Sequence, residues 1–145
     1  MRLLFLFLLL SASGAHAQST SEDSIKNRVM SLFDAMRKGD SVLITTQFAQ
    51  GAQLQSVNAD GKVEALPIPK FAQIISALPT GAADERPHLE VVRVDGALAM
   101  VWAPYQFFYK GTLHHCGVDS FQLVRQGGTW KIQYIIDTER KDGCQ

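Results

Sequence analysis

Three short turns, Asp95-Gly96, Lys110-Gly111 and Gly127-Gly128, constrain this chain more than any other feature. Each suits a two-residue hairpin, because glycine reaches the left-handed backbone region that such turns require. They divide the chain from His88 onward into four strands, 88–94, 97–109, 112–126 and 129–138, that form an antiparallel meander. Turn length then fixes register. Pairing through Lys110-Gly111 sets Trp102 opposite Asp119 and Pro104 opposite Gly117. Pairing through Gly127-Gly128 sets Phe121 opposite Tyr134, Leu123 opposite Ile132 and Asp119 opposite Ile136. One face of the sheet then carries Leu98, Met100, Trp102, Phe121, Leu123, Trp130, Ile132, Tyr134 and Ile136. A proline and a glycine at one level of two long strands predict a bend, so the sheet curls. A bulge at Pro104 would shift the pairing by one and take Trp102 away from Asp119.

Helices precede these strands. Ile25, Val29, Leu32, Phe33 and Met36 recur at helical spacing, with Ser19 to Asp23 as cap and acidic first turn and Gly39 as the stop. Asp40 caps a second, shorter helix to about Phe48. Two strands, 52–57 and 62–66, flank the turn Asn58-Ala59-Asp60-Gly61, and Phe71, Ile74, Ile75 and Leu78 mark a third helix before Pro79 and a polar loop. Helices first and antiparallel strands afterwards make an α+β domain whose helices cover the apolar face of the sheet.

The first residues read as a secretory signal peptide: Arg2, an apolar run from Leu3 to Leu10, and Ala15-His16-Ala17 before a cleavage point at Gln18. The run is too short to span a bilayer, and no cysteine near the cleavage point offers lipid attachment. Secretion or release into the periplasm is therefore expected, with no membrane association after cleavage. Of 145 residues, removal of 17 leaves 128, residues 18–145, enough for one domain with a single core. That part carries 13 basic side chains (14 less Arg2) against 14 acidic ones. Near-neutral charge without a basic run gives no footprint for nucleic acid. Cys116 and Cys144 are the only cysteines, and an oxidising compartment would permit a disulfide between them.

Asp119 is the residue that this register makes informative, since it lies on the apolar face with Trp102 and Ile136 beside it. His115 is four residues away on the same side. An unpaired buried carboxylate costs several kcal/mol, so the group must be paired, protonated or open to a cavity.

The helical DAMRKGDSVLITTQFAQGAQLQSV and the closing FQLVRQGGTWKIQYIID carry a resemblance. The first resembles the opening of the nuclear-transport-factor-2-like superfamily, and the second its final hairpin, where a Trp-Lys-Ile triplet begins the last strand. Within that superfamily the chain is most similar to exported bacterial proteins grouped as SnoaL-like or "putative lumazine-binding" domains. The resemblance implies helices packed on a strongly curved, mainly antiparallel sheet, a cone with an internal pocket, often in a homodimer. Some members are isomerases, dehydratases or cyclases that need no cofactor. By position in the cone, Asp119 compares with a catalytic acid, and Trp102, Tyr134 and His115 with pocket-lining groups; Met100, Phe121 and Ile136 share that face by register, and Asp119 as acid or base would have His115 as proton partner.

Three functions fit these features. The first is binding of a small, partly apolar ligand, with Asp119 orienting a polar group. The second is a lyase or isomerase with Asp119 as acid or base. The third is a protein-interaction domain with a vestigial pocket. A purely structural Asp119, bonded to a buried hydroxyl, indole or backbone group, stands beside all three. No metal site is expected, because His114, His115 and Cys116 alternate across the strand and cannot converge on one ion. Gly-x-Ser-x-Gly, phosphate-loop and CxxC motifs are missing, which leaves hydrolase, nucleotide-binding and thiol-redox chemistry without support.

Overall fold

The structure is a computed structural model and describes residues 14–144, with side chains from residue 21. The Leu3 to Leu10 run of the expected signal peptide lies outside the described residues. Helix α1 spans Gly14–Lys38, α2 Ser41–Thr46 and α3 Ile68–Ser76. The α1 backbone is thus already helical before Ser19, further back than the acidic cap suggested. Asp40 caps α2, its carboxylate accepting from the Leu43 N–H at 2.9 Å. No helix of the described residues is long and apolar enough to cross a membrane.

Seven strands form one sheet: β1 Phe48–Val57, β2 Val63–Ala65, β3 Ala83–Pro87, β4 Val91–Asp95, β5 Leu98–Tyr109, β6 Thr112–Gln126 and β7 Thr129–Arg140. Their order is β2-β1-β7-β6-β5-β3, and β4 pairs with the other half of β5. All pairs are antiparallel except β1 with β7. This is the α+β cone that the sequence predicts. Strand β3 falls where the sequence reads as a polar loop: three of its five residues are charged in a row and the last is a proline, so no alternation announces them.

Pro104 lies where β5 passes from β3 to β4 as its neighbour. Its carbonyl accepts from the His88 N–H at 2.8 Å, in the gap between β3 and β4. Since N–H and C=O of one strand residue point to the same neighbour, the missing proline donor also faces that gap and breaks no β5–β6 bond.

The two hairpin turns are as expected, but each register slips by one residue away from its turn. Tyr109 pairs with Thr112 and Phe108 with Leu113, yet Phe107 pairs with His115, so His114 is an extra residue in β6. Beyond it, Ala103 and not Trp102 faces Asp119, and Tyr105 and not Pro104 faces Gly117. A second slip falls at Gln133: Leu123 pairs with Ile132 as predicted, but Phe121 pairs with Ile135 and Asp119 with Asp137. Because side chains alternate along a strand, a single bulge moves every later residue to the other face. Small residues Ala99, Val101 and Ala103 therefore line the inside of β5, where α1 packs through Ile25, Val29, Leu32, Phe33 and Met36. Leu98, Met100 and Trp102 stand on the outside, Trp102 at 41 % exposure.

Candidate functional site

At the centre of the inner face, α1 and the sheet leave a cavity of about 130 Å³. Leu32, Phe33 and Met36 of α1 cover one side, Phe121 and Ile135 floor it, and Leu54, Leu66 and Phe71 close the rim. The rings of Phe33 and Phe121 meet edge to face at 6.1 Å, which holds the helix over the sheet. Three carboxylates, Glu85, Asp119 and Asp137, project into this largely apolar space.

Backbone pairing puts them there. Asp119 and Asp137 are direct partners across β6 and β7, and Glu85 of β3 sits opposite Phe107. Ala103 beside Asp119 is small and leaves the space open. Arg37 of α1 fixes β3 from outside the cavity, with bonds to the Glu85 carbonyl at 2.9 Å and the Asp84 carboxylate at 3.3 Å. No described lining residue is basic.

Without a cation, carboxylates in such a space hold protons. Asp119 is 4 % exposed, and burial raises its pKa well above the usual carboxylate range, aided by the charge of Glu85. Burial also pushes Glu85 up to about 7, against a side-chain hydrogen bond with Asp119 that lowers it. The pair therefore shares protons: a protonated Asp119 donates to the Glu85 carboxylate, and Glu85 takes its own proton near neutrality. Asp137 is raised by burial, opposed by a hydrogen bond from Ser56. One oxygen of Asp119 (Oδ2) and one of Asp137 (Oδ1) are buried without a hydrogen-bond partner.

The neighbouring Tyr105 does not serve these groups. Its hydroxyl donates to the Thr138 carbonyl at 2.9 Å, and burial with the carboxylates around it keeps the proton on. The close β6–β7 approach there requires Gly117, where an added Cβ would lie 1.7 Å from the Thr138 carbonyl oxygen.

The sequence of the family described as "Putative lumazine-binding" matches residues 20–134. The chain belongs to that family. Solved structures agree on the fold. A nuclear-transport-factor-2-like protein of unknown function from Shewanella baltica OS155 is 17 % identical, with a TM-score of 0.67, covering 84 % of this chain and 95 % of its own. One from Silicibacter pomeroyi DSS-3 is 18 % identical, with a TM-score of 0.67 and coverage of 85 % and 98 %. A protein of unknown function with a cystatin-like fold from Nostoc punctiforme PCC 73102 is 11 % identical, with a TM-score of 0.69 and coverage of 86 % and 94 %. No curated protein matches the chain.

In this family member the structure brings together only part of the expected site. Asp119 and Phe121 line the cavity. Met100 and Trp102 do not, because the extra His114 turns them outward. Tyr134 and Ile136 are displaced likewise by the slip at Gln133, and the Tyr134 hydroxyl bonds the Gln55 side chain at 2.6 Å instead. Their places are taken by Ile135 and Asp137. His115 shares the face of Asp119 but lies outside the cavity lining, its ring stacked on Phe107 at 4.7 Å. Burial lowers its pKa, leaving a neutral imidazole. Cys116 and Cys144 form a disulfide, with Cα atoms 5.5 Å apart. Glu85 and Asp137 are the residues that sequence reasoning missed. A short polar strand hid the first and a bulge the second.

Proposed function

We propose that this chain is an exported small-molecule-binding domain whose ligand occupies the cavity over Glu85, Asp119 and Asp137. The observation that carries this reading is the pair of unsatisfied carboxylate oxygens facing an apolar space. Buried acceptors without partners are costly, and a ligand N–H or O–H would satisfy them. A cavity of about 130 Å³ compares with the ~150 Å³ apolar cavity that holds a benzene molecule. The ligand class is thus a single ring or a body of that size with an apolar edge and hydrogen-bond donors. The family description points to a nitrogen heterocycle, and a fused two-ring compound would require the α1 side chains to move outward. The Cys116–Cys144 disulfide and the signal-like first residues support export.

The test is native mass spectrometry of protein recovered from an oxidising periplasm, followed by titration with single-ring nitrogen heterocycles. The expected result is an adduct lost on denaturation, and affinity at least tenfold weaker in Asp119→Ala with the fold retained. Binding that ignores Asp119→Ala would refute the assignment.

A second reading, proton transfer on the bound molecule by an isomerase or lyase, is favoured by one observation. Glu85 near 7, hydrogen-bonded to a protonated Asp119, is an acid–base pair matched to neutral pH. Under that reading Asp119→Asn removes turnover by orders of magnitude while ligand affinity stays within a few-fold.

A further inference from the structure

The extra residue in β6 does more than reverse a register. Alternation along a regular strand would send His114 and His115 to opposite faces, but His114 is the bulged residue, and its ring swings toward that of His115. The two Nδ1 atoms lie 2.8 Å apart. Glu139 of β7 reaches the same point, its Oε1 3.9 Å from the His115 Nδ1, and all three ligand atoms fall within 4.8 Å of one another. None of the three lines the carboxylate cavity.

We propose that His114, His115 and Glu139 form a binding site for a divalent transition-metal cation of the Cu2+ or Ni2+ kind. Imidazole nitrogen and carboxylate oxygen are the donors such borderline ions take. With bonds of ~2.0–2.1 Å, ligands at right angles lie roughly 2.8 Å apart and tetrahedral ligands roughly 3.3 Å. The observed 2.8 Å therefore fits square-planar or octahedral coordination rather than the tetrahedral arrangement of zinc.

Two of the ligands are held in advance. The His115 ring is stacked on Phe107 at 4.7 Å and meets the Tyr105 ring edge-on at 5.7 Å. His114 meets Phe107 edge-on at 6.2 Å. Glu139, at 54 % side-chain exposure, is free to turn inward by the ångström or more that separates 3.9 Å from the spacing of adjacent ligands, and the remaining coordination positions face solvent. The Lys141 charge acts on His115 and opposes a cation, so it sets an upper limit on affinity. Cys116 takes no part, since its sulfur is in the disulfide. The alternative for the two imidazoles is a single N–H···N hydrogen bond, with Glu139 beside His115 as a charge partner.

The experiment is calorimetric titration of the tag-free, chelator-treated protein with CuCl2 and NiCl2, with electron paramagnetic resonance of the copper form. The expected result is one saturable equivalent, copper hyperfine structure from two nitrogens, and affinity at least tenfold weaker in His114→Ala and in Glu139→Gln. His88→Ala should bind as the parent does. Circular dichroism of each variant verifies folding, and the conservative Glu139→Gln serves if His114→Ala does not fold. Absence of a saturable equivalent in the parent protein overturns the proposal. Equal affinity in the parent and the Glu139→Gln variant overturns the three-ligand site and leaves a hydrogen-bonded histidine pair.

Discussion

Replacing Glu85 by glutamine should remove a measurable part of the pH dependence of this protein's stability. In the folded chain Glu85 is raised from 4.5 to about 7 by burial. A group that holds its proton more tightly when folded stabilises fully below its unfolded pKa, and that contribution is lost as pH rises through the folded value. The window is therefore pH 4.5 to about 7, and stability falls across it. At ~1.36 kcal/mol per pH unit the rise amounts to about 3 kcal/mol. Asp119 and Asp137 are raised as well and add with the same sign. With an unfolding entropy of ~2.1 cal/mol/K per residue, about 3 kcal/mol in a domain of this size is a drop in Tm of about 10 °C between pH 5 and 8. Glu85→Gln keeps the shape, carries no charge, and donates an amide N–H to Asp119, which favours ionised Asp119. Its Tm should vary less steeply with pH than the parent's and match or exceed the parent at pH 8. The assay is differential scanning calorimetry at half-unit pH steps. A parent Tm that stays level or rises from pH 5 to 8 would refute the shared-proton account, as would an equal slope in the variant.

Other outcomes follow from the same geometry. Gly117→Ala should cost more than about 3 kcal/mol or prevent folding, since its Cβ would collide with the Thr138 carbonyl, and urea denaturation reads this directly. Reduction of the Cys116–Cys144 bridge, a sequence separation of 28, should lower stability by about 3 to 4 kcal/mol from chain entropy, seen as a lower denaturation midpoint with dithiothreitol. Tyr105→Phe should lose about 1 kcal/mol with its bond to Thr138 while leaving ligand affinity unchanged. Trp102→Ala, on the outer face, should also leave that affinity unchanged, in contrast to Asp119→Ala.

The turns at Lys110-Gly111 and Gly127-Gly128 are legible because glycine and a short loop leave few alternatives, and the pairs next to each turn form as read. The helix that covers the sheet is equally plain from Ile25, Val29, Leu32, Phe33 and Met36, all buried. What the sequence conceals is the two bulges. Nothing in His114 or Gln133 marks either as surplus, since a bulge is a compromise between strands and not a preference of one residue. Yet each reverses facing, which is why Met100, Trp102, Tyr134 and Ile136 leave the predicted pocket and Asp137 enters it. Asp119 and Phe121 remain because no bulge separates them from Leu123 within β6, His114 lying before them and Gln133 in the next strand. Glu85 is hidden for another reason, namely that a five-residue strand ending in proline has too little pattern to separate it from a loop.

The parallel pairing of β1 with β7 joins the earliest strand to the last one. Residues from 48 onward can complete their ladder only after residues up to 138 have been made. Until then β1 is an exposed edge over an uncovered helix face, and contacts this distant in sequence form late and slowly. An emerging chain of this kind stays incompletely folded until its last strand is free to pair. Loss of even its final dozen residues would leave a sheet that cannot close.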